Sequence, residues 1–91
     1  MATIWKYALY PGTNCIKIPG LDEPLSVGFQ GDQLCLWCVV DLDKAVREHC
    51  FLATITGVAL PGGEVLGMFV GTAQSPTGIV VHVFEIAHGD G

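Results

Sequence analysis

The chain is poor in charge. Only 14% of its 91 residues are Asp, Glu, Lys or Arg, against a usual share of about 25%. Four are cations: Lys6, Lys17, Lys44 and Arg47. Gripping a nucleic-acid polymer takes several clustered cations, because affinity comes largely from phosphate neutralisation. Four scattered ones in a chain of net charge −5 exclude such a partner. Long apolar runs are lacking too. None approaches the ~18 residues of a spanning helix, and Lys6 interrupts the apolar start where a signal peptide would need an unbroken core. Helical periodicity is nearly absent. Only "LDKAVR" (42–47) leans that way, and six residues cannot hold a helix alone, so a loop or a single turn is expected.

Catalytic groupings are equally scarce. Thr54, Thr56 and Ser75 have no evident base with an orienting partner, and no carboxylate pair has an identifiable shared environment. The glycines of "PGGE" (61–64) and "GTAQSPTG" (71–78) follow no phosphate-loop spacing and precede no helix. The sequence therefore points away from an enzyme and implies no cofactor.

What is present is apolar alternation. Hydrophobic residues make up 51% of the chain, and they recur with a period of two in stretches rich in β-branched and aromatic residues. Strands are expected over 3–10, 15–18, 25–30, 33–41, 48–58, 65–74 and 79–87. Turns fall at 11–14, 31–32, 61–63 and 75–78, with a loop over 19–24. The predicted fold is all-β, a small antiparallel sandwich or barrel of about seven strands with no significant helix. It forms one domain over 1–87, followed by a flexible tail at 88–91.

Three strands are apolar on both faces. "QLCLWCVVD" (33–41) sets Leu34, Leu36, Cys38 and Val40 on one side and Cys35, Trp37 and Val39 on the other. A domain this small buries only roughly 60–65% of its unfolded surface. Surplus apolar surface with few charges implies a homo-oligomer or a ligand cavity rather than a bare monomer, and a soluble cytosolic protein rather than a membrane one.

Cys15, Cys35, Cys38 and Cys50 could form two disulfides, but a cytosolic setting favours free buried thiols. Cys35 and Cys38 have a chelating spacing, yet on a strand residues i and i+3 face opposite ways, so no metal site is expected. His82, in "VVHVFE" (80–85), shares a face with Val80 and Phe84. It is either a hydrogen-bonded core residue or a site residue. Thr72 and Gln74 could offer hydrogen bonds from a hairpin. Trp5 and Tyr7 share a face that would stack a flat ring, while Lys6 points the other way. A clamp joining them would need an edge position or a second subunit.

In order, "IWKY" (4–7), "LSVGFQ" (25–30), "LCLWCVVD" (34–41), Phe51, "TG" (56–57), "FVGT" (69–72) and "VVHVFE" (80–85) resemble a family of short phage- and prophage-associated proteins of uncharacterised function. The likeness spans nearly the whole chain. It departs at Ala8, where the family pattern has proline, and at Val58, where it has histidine. The resemblance implies no activity and no catalytic residue. It does imply a host cytoplasm as the setting. The functional expectation is a non-enzymatic oligomeric protein that sequesters a small anionic, nucleotide-like host immune signal. Trp5, Lys6, Tyr7, Arg47, Thr72 and His82 are the candidate ligand-binding residues. The alternative is a structural or host-protein-interaction subunit with no small ligand.

Overall fold

The computed structural model describes residues 1–21, 23–60, 62 and 66–87. Alternation has produced the expected strands: β1 (Ala2–Leu9), β2 (Gly12–Pro19), β3 (Pro24–Gln30), β4 (Gln33–Asp41), β5 (Val46–Ile55), β6 (Leu66–Gln74) and β7 (Val80–Ile86). All pairings are antiparallel. They form a three-stranded sheet ordered β1-β4-β3 and a four-stranded sheet ordered β2-β5-β7-β6. The fold is an all-β sandwich.

The core lies between the sheets and is filled by alternate residues. From the first sheet come Leu9, Leu34, Leu36, Cys38 and Val40; from the second, Ile18, Phe51, Ala53, Ala73, Val81 and Val83. All are buried. Strands β3 and β6 approach each other at one edge of the sandwich. A Cβ on Gly71 would lie 3.0 Å from Val27 Cγ2, so glycine there permits the close approach.

Two elements have other bounds than local sequence suggests: β2 is longer, and β5 is shifted toward the N-terminus. Strand β2 begins at Gly12 and runs through Pro19, because Gly12 to Pro19 pair without interruption against Ala53 to Val46. For the same reason Val46 and Arg47 belong to β5 and not to a helical turn. At its other end β5 stops at Ile55, where Gly57 turns the chain at φ +90°. Of the expected turn at 61–63, only Gly62 is among the described residues, and Val65 and the tail at 88–91 lie outside them.

The face of β4 away from the core is partly covered by its own sheet. Register places Ala8 and Gly28 beside Cys35. Lys6 Nζ donates a 2.6 Å hydrogen bond to Gln30 Oε1, bridging from β1 to β3 above β4. Cys35 is consequently only 2% exposed, while Trp37 and Val39 remain half-buried.

The β3–β4 hairpin turns at Gly31, with φ +58°. Gly20 also has positive φ, +54°, but it is crowded. A Cβ there would sit 2.9 Å from the Cβ atoms of both Asp41 and Lys44, whereas one on Gly31 meets nothing within 4 Å. Gly31→Ala is expected to cost only the left-handed penalty, about 1–2 kcal/mol. Gly20→Ala adds overpacking against atoms fixed to the backbone, about 2–4 kcal/mol in total. Urea denaturation of the two variants side by side checks the difference.

Candidate functional site

The sandwich separates the sequence candidates. Trp5 and Tyr7 lie on the core-facing side of β1, where their register partners are Cys38 and Leu36. Lys6 points outward and is bound to Gln30. Arg47 is exposed on β5 in the other sheet, opposite Ile18. No single clamp of Trp5, Lys6, Tyr7 and Arg47 forms within one chain.

Thr72 and His82 are brought together. They are register partners across β6 and β7, and Thr72 Oγ1 lies 2.9 Å from His82 Nδ1. Thr56 Oγ1 lies 2.6 Å from His82 Nε2, and buried Thr54 is the β5 partner of His82. In either neutral tautomer one ring nitrogen donates to a threonine hydroxyl and the other accepts from one. The imidazole thus braces the outer face of the second sheet from the end of β5 to β6. No carboxylate is bonded to it among the described residues, so the cluster lacks the orienting acid of a nucleophilic triad.

A second polar group lies between the sheets. His49 Nδ1 is 3.4 Å from Glu85 Oε2. The Tyr7 hydroxyl is buried without a hydrogen-bond partner among the described residues, and burial pushes its phenol above the ordinary value. Burial, helped by the Glu85 charge, also pushes the Cys38 thiol up to about 11. It stays protonated at neutral pH and is a poor nucleophile.

The raised Cys38 value has a consequence for stability. As pH rises from 9.0 toward about 11, the unfolded chain gives up this proton first, which favours unfolding. The stabilisation is complete below 9.0 and is lost across that window. Urea midpoints of the wild type are therefore expected to fall more steeply between these pH values than those of Cys38→Ala.

The cysteine expectation needs correction. Cys15 and Cys50 form a disulfide, with Cα atoms 4.0 Å apart, because the β2–β5 register sets them directly opposite on one face. Cys35 and Cys38 are free and buried, facing opposite sides of β4 as alternation requires.

A concavity lies at one end of the sandwich, where three connections converge. Tyr10 and Pro11 come from β1–β2, Asp32 from β3–β4, and Ser75 and Thr77 from β6–β7. Together with Leu9, Phe29, Ile55, Ile79 and Val81 they line a cleft of about 600 Å³. Among the described residues, Asp32 is the one charged group in this lining, and no cation contributes. Tyr10 (61% exposed) and Ile79 (48%) form accessible apolar walls. Sequence reading missed this cleft, although it placed the β3–β4 and β6–β7 turns that help to build it.

The sequence profile of a family described as Domain of unknown function (DUF7352) matches residues 1–90. The chain belongs to that family. No curated protein and no solved structure matches it. In this DUF7352 chain the end cleft does not stand alone. Pro11 and Ile55 also line a neighbouring groove of about 340 Å³ that runs over Thr13, Thr54, Val58 and Ala59. Thr54 in turn pairs with His82. The cleft and the groove thus share Pro11 and Ile55, and one residue of the groove, Thr54, is the strand neighbour of His82.

Proposed function

We propose that the protein is a non-enzymatic, phage-encoded binding protein that works as a homo-oligomer in the host cytoplasm and holds a small nucleotide-like host molecule. The end cleft carries this reading: it is apolar and large enough for a flat ring, and it is flanked by hydroxyls at Ser75 and Thr77. Its charge pattern refines the ligand. No Lys or Arg lines the cleft, so the ring enters it while phosphates remain outside, to be met by a cation of a second copy. Lys44 and Arg47, which line a groove on the β4–β5 side of the molecule, are the candidates for that role. Val58 lines the groove next to the cleft, at a position where the phage-family resemblance expects a histidine, so this chain departs from the family pattern there and that groove adds nothing to the reading.

Calorimetric titration with nucleosides, mononucleotides and cyclic dinucleotides tests this. Binding is expected from ring-bearing compounds and is lost in Ile79→Asp. Arg47→Ala is expected to weaken phosphate-bearing members only. Absence of heat and of thermal shift across the panel overturns the reading.

A second reading, a structural or host-protein-interaction subunit, draws on apolar side chains left exposed on both outer faces: Ile4 at 57% and Phe69 at 54%. Sedimentation velocity separates the two. An assembly unchanged by every ligand, together with an empty panel, favours the second.

A further inference from the structure

On the outer face of the second sheet, the disulfide has a carboxylate beside it. Cys15 and Cys50 are register partners, and Glu48 precedes Cys50 by two residues on the same strand and face. The sulfur atoms and a Glu48 carboxylate oxygen all lie within 4.8 Å of one another. Two sulfurs and one oxygen bound to a single zinc ion at about 2.0–2.3 Å stand within about 4 Å of each other. The strand ladder therefore already holds the donors close to ligating separation.

We propose that Cys15, Cys50 and Glu48 form a redox-gated site for a soft divalent cation, Zn²⁺, which fills when the disulfide is reduced. Two molecules of a small thiol supply two electrons and two protons. Their sulfurs join to each other, the Cys15–Cys50 bond breaks, and both cysteines become thiols. Zn²⁺ then displaces the two thiol protons and is held by two thiolates and the Glu48 carboxylate, with water in the fourth position. Two thiolates with one carboxylate suit zinc over harder ions such as Mg²⁺ or Ca²⁺. Cys35 and Cys38 cannot substitute, since they face opposite sides of β4 and are buried. The site is independent of the proposed ligand cleft.

The test uses the full chain, oxidised and after reduction with a non-chelating phosphine, titrated with ZnCl₂ by calorimetry and with Co²⁺ by absorption. Reduced protein is expected to bind one ion per chain, release two protons and give a thiolate-to-cobalt charge-transfer band. Oxidised protein is expected to give none of these. Cys15→Ser and Cys50→Ser should abolish binding, Glu48→Gln should weaken it by about tenfold or more, and Cys35→Ser should leave it unchanged. Circular dichroism reports folding throughout. The proposal is overturned if folded, reduced protein binds no Zn²⁺, if binding survives Cys15→Ser, if it is lost in Cys35→Ser, or if the reduced chain unfolds and Zn²⁺ does not refold it.

Discussion

Phe51→Ala is expected to remove a large share of the stability of the fold. Phe51 is fully buried, with 0% exposure, and heads the largest fully buried side chains. It sits mid-way along β5, between Asn14 of β2 and Glu85 of β7, and projects into the inter-sheet core. Truncating a buried Phe costs about 3–5 kcal/mol, from lost transfer energy and the cavity left behind. A domain of this size has only about 5–14 kcal/mol in total. Phe69→Ala supplies the control. Phe69 is 54% exposed and packs against Phe84 with ring centroids 5.4 Å apart, a contact worth about 0.5–1.5 kcal/mol. Urea denaturation followed by Trp fluorescence should show the Phe51 midpoint falling several times further than the Phe69 midpoint. Equal shifts would mean that the core is not centred on β5.

Phe51 also shows how far the sequence could be read. Its strand was legible from alternation, because burial on a pleated strand selects every second residue. The start of that strand was not. "LDKAVR" has weak helical leanings, and a local reading has no access to Ile18 and Pro19, which pair with Arg47 and Val46. Tertiary pairing decided the conformation against local preference. Gly12 was hidden similarly: a Pro-Gly turn signal is real, but Gly12 can turn the chain at φ +102° and still open the ladder opposite Ala53.

At the candidate site the divide is between facing and pairing. Alternation correctly put Lys6 opposite to Trp5 and Tyr7, and put His82 on the face of Phe84. It could not say which strand lies beside which. Hence Thr72 and His82 were named without their contact, Thr56 was weighed only as a nucleophile, and Gln30 was not seen as the partner of Lys6. The cleft was hidden for the same reason: its lining comes from three connections far apart in sequence, and only topology brings them to one end. The doubly apolar β4 illustrates both sides. Its two-faced character was legible, while the Lys6–Gln30 bridge over Cys35 needed the order β1-β4-β3.

Cysteine pairing is the extreme case, and it sets the second large effect. Breaking the disulfide, by Cys15→Ser with Cys50→Ser, is expected to cost about 3–4 kcal/mol for a closed loop of this length; the two cysteines are 35 residues apart. The enclosed segment contains β3 and β4 entire, so the bond restrains the part of the unfolded chain that must cross from the second sheet to the first and return. Native pairing should survive without it, because the β2–β5 ladder runs unbroken on both sides of the pair. The loss therefore falls on the unfolded state, which expands when the loop opens, and the urea m-value should rise as the midpoint drops. A reductant should reproduce both changes in the wild type and do nothing further to the double variant. If the wild type is unmoved by reduction, the loop restraint contributes nothing and the strand register alone holds β2 to β5. If Zn²⁺ then restores the midpoint of the reduced wild type but not of the double variant, the two sulfurs hold the strands by a second kind of bond, and the same pair serves in both redox states.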